Sequence, residues 1–296
     1  MEPFAVVGHV AMDRVVTGDG ERRQLGGPPT YVSLITHLLG GGLRVCTKVG
    51  GDFPAEYAES LASRGADVGG CVVPGAKTTR FVLDYTAGER RLSVESVCEE
   101  IGPKDVRGLP NAVLLAPIIQ EIPVETLSVL EAGTIALDPQ GFLRRRLPDG
   151  SVDHVPWLDE GLIGRLTILK ASRRELGLMT GVGNTHKGLR RLRGMGVDVC
   201  VATLGGEGSQ VLWDGGEVAV PAYERGVVVD LTGAGDAFLA GFFHQFIVDG
   251  DVEWSAAVGS AAASAVVETI GPCVRMTRGE LMERAEEIRE GIRRLT

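Results

Sequence analysis

Short apolar runs alternate with longer stretches of helical spacing along most of this chain. Residues 4–8 (F-A-V-V-G) form an apolar run closed by glycine, which predicts a buried strand. The spacing at 28–39 predicts a helix opened by two prolines at its first turn, stopped by Gly40-Gly41-Gly42. A strand over 43–49 and a helix over 54–64, capped by Gly65, follow. From Asn111 onward, short apolar strands at 113–116, 134–137, 167–169 and 199–203 are separated by helical stretches. That alternation predicts β-α-β units, hence an α/β protein whose mostly parallel sheet has helices on both faces. Residues 205–229 read as a β meander, and helices over 235–248, 252–269 and 277–295 close the chain.

Two stretches near the N-terminus break this rhythm. Residues 15–25 alternate around Gly18-Asp19-Gly20, and 79–85 with 90–94 alternate around Ala87-Gly88. Both are hairpin signals. Inserts over about 14–26 and 76–97 that met in space would form a small β sheet over a pocket. No repeat, linker or low-complexity tract divides the chain, so one domain over 1–296 is expected.

At 296 residues the chain has ample length for a core, and 44% hydrophobic with 23% charged residues excludes a disordered or fibrous chain. A net charge of −9 without a strongly basic run disfavours nucleic acid as a partner. Cys46, Cys71, Cys98, Cys200 and Cys273 form no C-x-x-C pair, which points to a reducing compartment rather than a zinc site or disulfides. Glu2 and Pro3 open a segment without the basic start of a signal peptide. The longest apolar run, 255–267, falls short of the ~18 residues that span a bilayer and predicts a buried helix. A cytoplasmic protein without a membrane partner is expected.

The familiar nucleotide fingerprints are incomplete. Gly181-Val182-Gly183 fails at His186 and Gly233-Ala234-Gly235 fails at Phe238, so no G-x-G-x-x-G is present. Gly75-Ala76-Lys77-Thr78 lacks the glycine before the lysine of a phosphate loop. The informative segment is Asp230-Leu231-Thr232-Gly233-Ala234-Gly235-Asp236, running into an apolar helix. A Gly-Ala-Gly turn that opens a helix presents unbonded N–H groups at the positive end of the helix dipole, an anion site. Glycine lets the backbone approach a phosphate closely. Asp236, beside that site, is placed to take the proton of a hydroxyl attacking phosphorus. The plainer alternative is a helix cap on a tight turn.

This segment resembles the D-T-T-G-A-G-D signature of the ribokinase-like (phosphofructokinase B) sugar kinases, with Leu231 in place of the first threonine. Gly26-Gly27 before a helix and Thr47-Lys48-Val49-Gly50-Gly51-Asp52 resemble that family's G-G … V-G-x-D pattern. Val201-Ala202-Thr203-Leu204-Gly205-Gly206-Glu207-Gly208 resembles its T-L-G-x-x-G nucleotide loop, and Asp13 matches its substrate-binding aspartate. The resemblance covers nearly the whole chain. Tyr31, Leu137-Asp138-Pro139-Gln140 with Arg144, Leu169-Lys170-Ala171-Ser172 with Glu175, and Ile270-Gly271-Pro272 make it most similar to the myo-inositol kinases of archaea and plants.

The resemblance implies a three-layer α/β/α ribokinase-like fold with a small β lid. It implies ATP as phosphoryl donor, with Mg²⁺ held mostly by nucleotide oxygens and water. It makes Asp236 the general base and the amides of Gly233, Ala234 and Gly235 the stabilisers of the transferred phosphoryl group. Thr203, Gly205 and Gly208 would hold nucleotide phosphates, with Lys170 and Ser172 on the same side and Gly259 and Ala262 at the adenine. Glu175 falls where the family's N-x-x-E is linked to magnesium; alternatively it is a solvated helix residue. Asp230 and Thr232 would support a monovalent cation. For the substrate, Asp13 can accept from two vicinal hydroxyls, Gly26 and Gly27 bring a helix start close to the ring, and Asp138, Gln140 and Arg144 sit at a strand end. Arg144 also begins a run of three arginines that reads as a solvated face. Arg80 either reaches the site from the second hairpin or is a sheet-edge charge. Relatives that pair through their lids imply a homodimer.

The expectation is a kinase for a hydroxyl of a small polyol or sugar, myo-inositol first. A kinase of the same family acting on a nucleoside, ketose or sugar acid is the nearest alternative. A non-catalytic polyol- or nucleotide-binding regulator on the same fold is the next. A nicotinamide-dependent oxidoreductase would need the missing glycine fingerprint.

Overall fold

The computed structural model describes residues 3–87 and 91–295. A nine-stranded sheet runs through the molecule. Six of its strands are parallel and adjacent: Leu43–Cys46, Phe4–Val7, Ala112–Leu115, Thr134–Leu137, Ile168–Ser172 and Val199–Thr203. Ser209–Trp213, Gly216–Val220 and Arg293–Arg294 extend it antiparallel. The parallel strands are short and apolar because both their faces are covered. In Phe4–Val7 the side chains alternate, so Phe4 and Val6 join one core while Ala5 and Val7 join the other. The first core is packed by helices Pro28–Leu39, Ala234–Asp249, Val252–Val267 and Arg278–Glu290. The second is packed by Val124–Ser128, Glu160–Ile163, Arg173–Thr180 and Thr185–Gly194. This is the expected three-layer α/β/α arrangement.

The two early inserts meet as expected. Strands Gly20–Gly26, Ala11–Thr17, Thr79–Asp84 and Arg91–Ser96 lie side by side in that order, with Ala11–Thr17 parallel to Thr79–Asp84. The first insert begins at Ala11 rather than Arg14. The Ala87-Gly88 turn falls largely outside the described residues. On the sheet's inner face Ala11, Val15, Phe81, Leu83 and Val94 pack with Ile118 and Ile119.

Three elements differ from expectation. The stretch after Val220 holds no strand; Pro221 follows, and the Val229 and Asp230 N–H groups both turn to the Val267 carbonyl, at 2.7 and 3.1 Å. The final helix stops at Glu290, and Arg293–Arg294 pairs with the sheet edge. The arginine run is a strand, Arg144–Arg146, paired antiparallel with Val152–His154. The helix expected at 255–267 is present and buried. Its small residues let it pack on Ala234–Asp249. No helix among the described residues is long and apolar enough to cross a membrane.

Candidate active site

Two depressions meet at one turn at the carboxyl ends of the parallel strands, the edge where open α/β sheets bind ligands. Beneath the four-stranded sheet lies a cavity of about 90 Å³. Its polar wall is Asp13, Gln140, Arg144, Thr232 and Asp236; Phe81, Leu83, Leu92 and Ile118 form an apolar wall. On the other side of the turn lies a groove of about 430 Å³, lined by Thr203, Gly205 and Gly208, by Tyr223, Val228, Leu231 and Phe238, and by Ser260, Ala263, Ser264 and Val267. Gly233 and Asp236 face the cavity, whereas Ala234 and Gly235 face the groove.

Glycine is required at the turn. Gly233 is the N-cap of Ala234–Asp249 with φ 80°, in the left-handed region, and a Cβ there would stand 2.2 Å from the Tyr31 ring. The first-turn amides of Gly235 and Asp236 precede any carbonyl of their own helix that could accept from them. Asp236 does not cap this helix; its Oδ1 accepts from Gln140 Nε2 at 3.1 Å. Burial, reinforced by the charge of Asp138, pushes the Asp236 carboxyl up to about 7, against the pull of Lys170, Arg144 and the Gln140 amide.

Lys170 lies at the turn. Its Nζ is 2.7 Å from where a Cβ on Gly235 would stand and 2.6 Å from Asp138 Oδ2. Burial opposes the ammonium charge, but Asp138 and Glu175 outweigh it and hold Lys170 above its ordinary value. A fixed positive charge thus sits against an amide turn, an arrangement that can hold an oxyanion.

Several expected placements change. Asp138 is buried and does not line the cavity: Oδ2 accepts from Lys170 and Oδ1 from the Gln140 N–H at 3.2 Å. It supports two site residues rather than meeting a ring. Ser172 and Glu175 form a reciprocal capping box on Arg173–Thr180. Neither lines the groove, and Glu175 is half-buried rather than solvated. Burial would raise its carboxyl, yet Lys170 and Ser172 hold it low. Gly259 and Ala262 face the neighbouring helix: a Cβ at Gly259 would come within 2.8 Å of the Phe238 carbonyl, and Ala262 Cβ lies 2.9 Å from the place of a Cβ at Gly241. One residue further on, Ser260 and Ala263 line the groove instead. Asp230 is ion-paired to Arg22 at 2.9 Å.

A Cβ at Gly26 would lie 2.0 Å from Asp13 Oδ2, so this glycine lets the carboxylate in. Gly27 has φ 81°, and a Cβ there would strike the His9 carbonyl at 2.2 Å. Arg144 lines the cavity and donates from Nη1 to the Ile118 carbonyl at 3.2 Å. Arg80 pairs with Asp52 at 2.7 Å and does not line the cavity; its strand has a neighbour on each side, so it is not a sheet-edge charge either. Among the described residues no group of three or more His, Cys, Asp or Glu is disposed to hold a metal.

Sequence reasoning missed the support beneath Ile118. The buried Glu121 carboxylate accepts from the N–H groups of His9, Ile118 and Ile119 at 2.7–3.0 Å. Neighbouring Gln120 has φ 61°, the left-handed region. An irregular loop carries no periodicity, so nothing local marks this residue. The apolar wall did leave a signal, the inward positions of the alternating hairpins.

Residues 121–277 match the family described as pfkB family carbohydrate kinase. The chain is 30% identical to an inositol 3-kinase of Zea mays over 96% of this chain and 76% of that protein. It is 28% identical to a cytidine kinase of Thermococcus kodakarensis over 92% of this chain and 98% of the relative. Among solved structures, a pyrophosphate-dependent kinase in the ribokinase family superposes with a TM-score of 0.82 at 23% identity, covering 96% of this chain and 99% of that one. The protein is therefore a phosphotransferase that acts on a sugar or polyol hydroxyl. The chain belongs to the pfkB family of carbohydrate kinases.

Proposed function

We propose that this kinase transfers the γ-phosphoryl group of ATP to a hydroxyl of a small cyclic polyol, with myo-inositol the first candidate. The carrying observation is the shared turn: Asp236 faces a cavity sized for one small ring, and Ala234 and Gly235 face a larger, partly apolar groove. At ~10–15 Å³ per water, the cavity has room for several waters, which a single ring would displace. Its apolar wall suits the C–H face of a ring, while Asp13, Gln140 and Arg144 offer acceptors and donors to ring hydroxyls. The groove has room for a base and ribose beside Tyr223, Val228 and Phe238.

In the reaction, the acceptor oxygen attacks the γ-phosphorus as its proton passes to Asp236. The bond to the β-phosphate oxygen breaks, and ADP leaves through the groove. The amides of Gly233 and Gly235 and the Lys170 ammonium stabilise charge on the phosphoryl oxygens, while the Ala234 N–H is held by the Leu231 carbonyl. Mg²⁺, borne by the nucleotide, neutralises phosphate charge when bound. Closure of the four-stranded sheet keeps water, the competing acceptor, from the phosphorus.

The cytidine kinase relative keeps a nucleoside acceptor in view, since the aromatic Phe81 lines the cavity. The pyrophosphate-dependent neighbours raise the same question for the donor. The deciding experiment is a panel assay of phosphorylated product with ATP or pyrophosphate and Mg²⁺. Myo-inositol, ribose, fructose, 2-keto-3-deoxygluconate, cytidine and adenosine are the acceptors, and Asp236→Asn is the blank. Turnover on inositol with ATP, lost in the blank, is expected. Turnover on cytidine, or with pyrophosphate alone, would replace the corresponding half of the proposal.

A further inference from the structure

The segment leading into the Gly-Ala-Gly turn is where the resemblance implies a monovalent cation, and the residues present do not fit one. Asp230 Oδ2 accepts from Arg22 Nη2 at 2.9 Å, and Oδ1 accepts from the Thr232 N–H at 3.0 Å. The Gly271 N–H approaches Oδ2 at 3.5 Å. Arg22 also donates from Nε to Gln24 Oε1 at 3.2 Å, which leaves the buried Gln24 Nε2 as a donor. Both carboxylate oxygens are therefore engaged by N–H groups, and a guanidinium supplies the positive charge. A hard cation needs a shell of oxygens and would here meet a like charge and N–H donors. The Thr232 hydroxyl is buried without a partner, but a neutral oxygen cannot offset that repulsion.

We propose that Arg22 takes the place of the monovalent cation, so that phosphoryl transfer proceeds without one. Arg22 belongs to the strand Gly20–Gly26 of the cover sheet, whereas Asp230 lies three residues before Gly233. From Asp230 a chain of local bonds reaches the turn: Asp230 holds the Thr232 N–H, and Leu231 holds the Ala234 N–H at 3.3 Å. The ion pair thereby ties the sheet over the cavity to the backbone that meets the transferred phosphate. Arg22 is a positioning residue; it acts through Asp230. This inference rests on the turn's role under the proposed function.

The test uses the full chain and two independent readouts. First, thermal melting is followed in potassium, sodium and choline chloride at equal ionic strength. Wild-type midpoints are expected to coincide. Second, initial rates are measured with ATP and the acceptor found by the panel. Wild-type rates are expected to be the same in all three salts. Arg22→Met is expected to lower kcat by roughly 10- to 100-fold, the cost of a misplaced site, with little change in acceptor KM. Added guanidinium or potassium ion should recover part of that rate, and Arg22→Lys should retain more of it. A merely structural arginine would give no such rescue. A saturable, potassium-specific rise in the wild-type midpoint or rate would overturn the proposal. So would Arg22→Met with full kcat. If Arg22→Met does not fold, Arg22→Lys and the wild-type salt series decide. If no acceptor of the panel turns over, the acceptor proposed above has failed, while the melting series still decides the cation.

Discussion

Asp236 must be ionised to accept a proton, and its surroundings make ionisation costly. Burial and the charge of Asp138 raise its carboxyl to about 7, which matches a base to neutral conditions. The catalytic rate should therefore climb through about pH 7 rather than near the ordinary aspartate value. Asp236→Asn should lower turnover by roughly 10²–10⁴-fold. The stability effect has the opposite sign. The folded state holds this proton more tightly than the unfolded chain, so stability is full at low pH and declines as pH rises toward 7. Above that pH the charged carboxylate is a cost, and Asp236→Asn should melt no lower than wild type at pH 8. A rate limb near pH 4, or a variant with intact turnover, would remove Asp236 from the base role. The sequence singled out this residue because its motif is contiguous. Asp138 was misread because its partner, Lys170, lies 32 residues away.

At the level of elements, the site depends on a loop as much as on the helix. Glu121 gathers the amides of His9, Ile118 and Ile119, and Ile118 in turn lines the cavity and accepts from Arg144. Glu121→Ala would leave three N–H groups without their acceptor, at a cost of about 2–4 kcal/mol. Melting should show that loss, and kinetics should show a raised KM for the acceptor with the KM for the donor unchanged. Equal effects on both would place the loop's role elsewhere. The hairpins, the parallel strands and the Pro28–Leu39 helix were legible from alternation and punctuation. The Arg144–Arg146 strand was not, because three charged residues carry no apolar period; its pairing with Val152–His154 places it.

Across the whole molecule, burial in the two apolar cores opposes charge, and His244 shows the consequence. Its ring is buried with neither nitrogen hydrogen-bonded, close to where a Cβ on Gly41 would stand. Burial, helped by Arg278, lowers it from 6.5 to about 4. The unfolded chain takes up a proton near the ordinary value, so this contribution to stability is present above about pH 6.5 and lost as pH falls toward 4. The loss is on the order of 3 kcal/mol. His244→Leu should melt with a shallower decline between pH 7 and pH 5. An unchanged slope would assign acid sensitivity to other groups.

Local sequence determined what local physics can specify. Apolar period set strands against helices, glycine at Gly233 and Gly27 set the sharp turns, and the contiguous 230–236 segment marked a turn that opens a helix beside a carboxylate. Tertiary structure decided which residues meet. Arg22 and Asp230 are 208 positions apart and form one ion pair; Gln140 and Asp236 are 96 apart and share a hydrogen bond. On Val252–Val267, a one-residue step decides whether a side chain enters the groove or the packed helix pair. Such choices depend on the rotation of an element against its neighbours. That rotation follows from packing two whole faces together, and no short stretch of sequence contains it.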